Sequence, residues 1–182
     1  MQSFYASLEK LYTLFSSDPV AQTVGLIALI VGLSAFLQKS DHLLKRNLSV
    51  YTLLMGIQFL MLDLWASALA AWLGTFRTYI SMQTRNSWVM WSLITAVILF
   101  ALPTVRSLPE LLPIIGNILG TWAMFKEHGL RMRALMFIGT LCWLSHNVLV
   151  GSIGGSVIEA LFLAVNARTM YGLIRREVNQ AD

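Results

Sequence analysis

The stretch Trp143–Asn166, WLSHNVLVGSIGGSVIEALFLAVN, decides how the rest of the chain is read. Two apolar runs flank a tight Gly-Ser turn, Gly151 to Gly155, and both runs suit helices at membrane depth. Inside them, however, sit His146, Asn147, Glu159 and Asn166. A charge at the centre of a membrane helix costs about 2.5–3.5 kcal/mol, so residues of this kind usually mark function. The expectation is a helical hairpin that presents a polar pocket, with the remaining helices as its scaffold.

Composition points the same way. Of 182 residues, 57% are hydrophobic and 12% charged, where a soluble domain carries about 25% charged residues. A net charge of +4 could suggest nucleic acid in a soluble protein. Here the basic residues cluster between apolar runs, which is a pattern of membrane topology, so no nucleic-acid partner is expected. Cys142 is the single cysteine, which excludes an intrachain disulfide and a cysteine metal cluster. No metal-ligand spacing, phosphate loop, nucleophile elbow or paired catalytic carboxylates occur, so neither cofactor nor metal is expected. Ser145 and His146 are adjacent on a helix and point about 100° apart, which rules out the usual Ser–His relay and argues against an enzyme.

Residues 1–18 place Phe4, Leu8, Leu11 and Phe15 on one face, an amphipathic helix lying on the membrane surface rather than a signal peptide. Apolar periodicity then predicts seven helices: Val20 to Leu37, Asn47 to Leu62, Leu64 to Met82, Asn86 to Val105, Leu111 to Phe125, Ala134 to Val150, and Ser156 to Ile174. Several of these are short for a bilayer core of about 30 Å, so their ends must extend into the interface. With the N-terminus outside, the inner segments hold Lys39, Lys45, Arg46, Arg77, Arg85, Lys126, Arg131, Arg133, Arg168, Arg175 and Arg176. Only Lys10 and Arg106 of the thirteen basic residues stay outside. This asymmetry predicts N-terminus outside and C-terminus inside.

The same order divides as three helices, one linker helix and three more. The units are the surface helix 1–18, a first three-helix repeat 19–83, a linker helix 84–108, a second repeat 109–176 and a polar tail 177–182. An odd linker restores orientation, so the two triplets would be parallel repeats. At an offset of 91, Gly25 meets Gly116, Arg77-Thr78 meets Arg168-Thr169, and Arg85 meets Arg176.

A three-one-three set of short helices resembles the SWEET sugar transporters and their half-sized SemiSWEET relatives. The residues IIGNILGTWAMF (114–125) are similar to the opening of a SWEET repeat, and Trp143 with His146-Asn147 stands where that family often has Trp followed by Tyr-Gly. Asn166 falls where its pocket asparagine lies. The stretches NLSVYTLLMGIQFL (47–60), RTYISMQTRNSWVM (77–90), ELLPIIGNILGTWAMF (110–125) and Trp143–Asn166 more closely resemble the YgjV-type family of bacterial inner-membrane proteins. The resemblance implies an all-α, multi-pass protein of the bacterial inner membrane. Helix 1 lacks the proline hinge of SWEET-like carriers, and Pro113 lies at the start of helix 5, a departure from that family's pattern.

Thr140, Trp143, His146 and Asn147 share one stripe of helix 6, and Glu159 and Asn166 one face of helix 7. His146 and Glu159 lie at similar depth either side of the Gly-rich turn and could pair as a proton-linked outer gate, or simply staple the two helices. The expected solute-binding set is Asn166, Trp143, His146, Asn147, Glu159, Trp122, Asn117 and Gln58. Gly116 and Gly120 are expected to pack helices closely, Arg77 and Arg168 to snorkel to water as anchors, and Trp65, Trp72, Trp88 and Trp91 to belong to the belt or the packing. The reading that results is a SWEET-like carrier of a small polar solute, embedded in the lipid bilayer, with self-association left open. Its rivals are a membrane scaffold or regulatory subunit, and a carrier of a vitamin or nucleoside-like solute. A solvent-filled central cavity containing Asn166 would favour transport; tightly packed helices with Asn166 bonded to backbone would favour the scaffold.

Overall fold

The structure, a computed structural model, describes residues 12–36, 41–81 and 83–181. Most of the amphipathic segment 1–18 lies outside the described residues; residues 12–17 are helical. Among the described residues seven α-helices follow: α1 Pro19–Phe36, α2 Asp41–Met61, α3 Trp65–Ser81, α4 Ser87–Phe100, α5 Leu111–Lys126, α6 Gly129–Leu149 and α7 Ile153–Ala181. Short 3-10 turns, Leu102–Thr104 and Leu108–Glu110, join α4 to α5, and no strand occurs among the described residues. Among the described residues, three segments are long and apolar enough to cross a membrane: Ser87–Thr104, Leu108–Lys126 and Ile153–Arg175. Pro19–Ser34 is a shorter apolar helix.

Two boundaries differ from the hydropathy reading in the same way. Helix α2 starts at Asp41 rather than Asn47, and α6 at Gly129 rather than Ala134, so both have 21 residues. The basic segments expected to be loops are largely first turns of helices. Lys and Arg are good helix formers, so charge ends an apolar run without ending the helix. At about 1.5 Å per residue each helix is roughly 32 Å long, enough for a bilayer core.

Six helices close into a ring. Its seams run α1–α2, α2–α3, α3–α5, α5–α6, α6–α7 and α7–α1, while α4 lies outside against α3 and α5. The outer position of α4 fits its side chains, since Trp88, Trp91, Leu99 and Phe100 are exposed and Met90, Ile94 and Val97 face inward. Close approach in the ring depends on small residues. Helix α3 buries Ala66, Ser67, Ala68, Ala70, Ala71 and Gly74. Gly116 of α5 faces the backbone of Gly139 in α6, where an added Cβ would stand 2.9 Å from the Gly139 carbonyl oxygen. On the α1–α7 seam a Cβ at Gly154 would collide with the Gly25 carbonyl oxygen.

The turns α2–α3 and α6–α7 are built alike. In the first, Asp63 adopts φ 57° and Leu64 N–H donates to Phe59 O at 2.8 Å. In the second, Gly151 adopts φ 74° and Ser152 N–H donates to Asn147 O at 2.9 Å. Both are Schellman-type ends with one left-handed residue. Gln22 of α1 locks the second turn: its Nε2 donates to Gly151 O at 2.8 Å and its Oε1 accepts from Ile153 N–H at 3.3 Å. One orphan donor of α7 is thereby satisfied by a buried side chain from another helix. Gln22→Leu is expected to destabilise the protein by about 1–3 kcal/mol, seen as a fall of several degrees in its thermal midpoint in detergent.

Candidate functional site

The ring encloses a cavity of about 200 Å³. Its wall is assembled from five helices: Tyr51, Thr52, Met55 and Phe59 on α2, Arg77 and Thr78 on α3, Asn117 on α5, Thr140, Trp143 and Asn147 on α6, and Glu159 and Phe162 on α7. Phe59 stacks on Trp143 with ring centroids 6.0 Å apart and planes 23° apart, which brings α2 and α6 together across the ring. Tyr51 meets Phe162 edge-to-face at 5.8 Å.

The polar groups of this wall are held in an unequal way. Arg77 turns its guanidinium onto α5, where Nη1 donates to Asn117 O at 3.1 Å and to Asn117 Oδ1 at 3.0 Å. Asn117 Nδ2 in turn donates to Ala70 O of α3. Gly120 leaves the room for this, because a Cβ there would lie 2.5 Å from Arg77 Nη1. Arg77 Nε remains sealed from solvent without a partner. Glu159 accepts a hydrogen bond from the Tyr51 hydroxyl at 3.1 Å. Asn147 is fully buried, and neither atom of its side-chain amide has a partner. Buried polar groups are normally bonded, so unpartnered ones on a cavity wall are what an incoming ligand or water can satisfy.

Of the eight residues singled out from sequence, Trp143, Asn147, Glu159 and Asn117 line the cavity, and the other four lie elsewhere. Asn166 donates from Nδ2 to Arg133 O at 3.0 Å, tying α7 to α6 through backbone. His146 bonds through Nδ1 to Pro109 O at 3.0 Å. The expected His146–Glu159 pair is therefore not formed; the Tyr51 hydroxyl is the partner of Glu159. Gln58 accepts at Oε1 from Ser152 Oγ at 3.0 Å, bracing the α6–α7 turn. Trp122 is 39% exposed and meets Trp91 of α4 edge-to-face at 6.2 Å, on the outer surface of the ring.

Two site residues were not anticipated. Arg77 is not the expected snorkelling anchor but a cavity wall group; the signal lay on another helix, in Asn117 and Gly120 placed three residues apart. Tyr51 had no local signal, since a tyrosine among Val50, Thr52 and Leu53 reads as ordinary packing.

An all-helical bundle with membrane-length apolar helices and a polar interior defines a multi-pass membrane protein. Comparison with known proteins narrows that class. Residues 19–177 match the model of the Imp-YgjV family, described as bacterial inner membrane protein. Over 163 residues the chain is 40% identical to "Inner membrane protein YgjV" of Escherichia coli (strain K12), covering 90% of this chain and 89% of that protein. The chain belongs to the YgjV family of bacterial inner-membrane proteins. No solved structure matches it.

Proposed function

We propose that this protein is a carrier that takes a small polar solute into the ring cavity and moves it across the inner membrane by alternating access. The single observation behind this reading is the cavity wall with its unpartnered Asn147 amide and Arg77 Nε. At about 200 Å³ the cavity is smaller than the roughly 300–1,000 Å³ of pockets for drug-sized ligands, which suits a small solute. Trp143, Asn147, Glu159, Asn117 and Arg77 are the residues in contact with it. Asn166, bonded to backbone, takes the structural role that would also suit a scaffold, and so do His146 and Gln58.

The carrier reading includes seven spans with the N-terminus outside and the C-terminus inside, arranged as repeat 19–83, linker 84–108, repeat 109–176 and tail 177–182. Internal duplication is supported by the two turns. Their bonds Leu62 N to Gln58 O, Asp63 N to Leu60 O and Leu64 N to Phe59 O have counterparts in Val150 to His146, Gly151 to Val148 and Ser152 to Asn147. The shift between the two sets is 88 residues, rather than the 91 suggested by scattered identities. At that shift Thr52 and Thr140, Met55 and Trp143, Phe59 and Asn147, Ala71 and Glu159, and Gly74 and Phe162 are partners, and every one of them lines the cavity. The ring seams are paired likewise, α1–α2 with α5–α6, α2–α3 with α6–α7, and α1–α7 with α5–α3. Parallel repeats around a central site are a common transporter plan.

A thermal-shift screen of the purified protein against sugars, nucleosides, vitamins and amino acids, repeated with Asn147→Leu, tests the reading. Because Asn147 has no bond to lose, the variant is expected to keep or raise the thermal midpoint. It is also expected to abolish the shift given by any solute that stabilises the parent. A solute shift that survives Asn147→Leu unchanged would place binding outside the cavity and reject the carrier site.

A further inference from the structure

One basic and one acidic side chain share the cavity without closing on each other. Arg77 comes from α3 and Glu159 from α7, and the one ion pair among the described residues is Arg106 with Asp63, elsewhere in the protein. Arg77 is held by Asn117 through Nη1 only, with Nε unpartnered, and Glu159 is held by the Tyr51 hydroxyl through Oε1. The pseudo-equivalent positions are not charged: at a shift of 88 residues Arg77 corresponds to Val165 and Glu159 to Ala71. The cavity therefore has two chemically different ends on a symmetric frame.

Met55, Phe59 and Trp143 add an apolar and aromatic stretch to the same wall.

Charge balance then selects the solute. A buried charge is tolerated when it is paired and hydrogen-bonded. A mono-anion on Arg77 leaves the Glu159 carboxyl group without a cation, and a mono-cation on Glu159 leaves Arg77 without an anion. A neutral polyol adds no charge but compensates neither group. Resting on the carrier reading above, we infer that the cavity binds a small zwitterion, with its carboxylate on Arg77, its ammonium on Glu159 and its apolar body against Phe59 and Trp143. Asn147 supplies both a donor and an acceptor to either end.

Isothermal titration calorimetry on the full chain in detergent tests this with defined probes: glycine, β-alanine, 4-aminobutyrate, leucine and phenylalanine, the acid and the amine matching each, and glucose and uridine. At least one zwitterion is expected to bind ten-fold or more tightly than both its acid and its amine. Glu159→Gln keeps an acceptor for Tyr51 and removes the charge. It is expected to weaken that zwitterion at least ten-fold and to strengthen binding of the matching acid, a gain that misfolding cannot imitate. The inference is overturned if the acid binds the parent as tightly as the zwitterion, if Glu159→Gln leaves their ratio unchanged, or if no zwitterion binds. Should glucose or uridine bind instead, and lose binding in Asn147→Leu, the carrier reading stands and the zwitterion falls. Should every probe that binds do so equally well in Asn147→Leu, both fall.

Discussion

Gly154→Val is expected to cost the protein its packed bundle. The α1–α7 seam has no clearance at this position: an added Cβ meets the Gly25 carbonyl oxygen and carbon, and Leu26 N. These are backbone atoms inside a helix, so no rotamer change relieves the overlap and the helices must separate. Overpacking that shifts backbone costs about 1–3 kcal/mol and occasionally more, and here it also disturbs the Gln22 clamp on the neighbouring α6–α7 turn. The expected result is a loss of the monodisperse species on size exclusion, or a thermal midpoint lower by about 2–4 °C for each kcal/mol. Gly172→Val in the same helix is the control, because nothing lies within 4 Å of a Cβ there. Equal behaviour of the two variants would mean that the seam is looser than described.

The second large effect is expected at Asn117→Leu. The asparagine is 1% exposed and works on two sides, with Nδ2 on Ala70 O and Oδ1 on the Arg77 guanidinium. Leucine keeps the number and branching of side-chain heavy atoms but leaves a charged group short of an acceptor in an apolar setting. Loss of such a partner costs about 1–3 kcal/mol, more when the orphan is charged. Arg77→Met alone is also expected to destabilise the protein. The double variant Asn117→Leu with Arg77→Met is expected to lose less than the sum of the singles, by roughly 0.5–3 kcal/mol of coupling. Thermal or denaturant unfolding of the four proteins in one detergent measures this. Strict additivity would mean that Arg77 finds its main support elsewhere.

How far the sequence could be read follows from what each signal carries. Apolar runs and charge clusters located each of the helices α1 to α7, because helix burial is written in local composition. They misplaced the starts of α2 and α6, because hydropathy reports where a chain leaves the apolar phase and not where its backbone stops bonding. On α6 the stripe of Thr140, Trp143 and Asn147 does face the cavity, while His146, one residue from Asn147, turns to Pro109. A helical wheel gives a side chain's direction to within about a third of a turn. It cannot say whether that direction meets a cavity or the seam with the next helix. Arg77 was misjudged for a related reason. Its place near the end of α3 suggested water, and only the partner helix, through Gly120 and Asn117, turns it inward. The Tyr51–Glu159 bond spans 108 positions, so no local pattern could have announced it.

The place of α4 outside the ring has a mechanical consequence. It rests on α3 and α5 together and so braces that seam from outside. A strut along one edge sets the pivot of any rocking at α4, with the far edge at Gly25 and Gly154. Any rocking of the two halves then has its largest amplitude at the glycine contact, and its smallest beside the Arg77 guanidinium on α5.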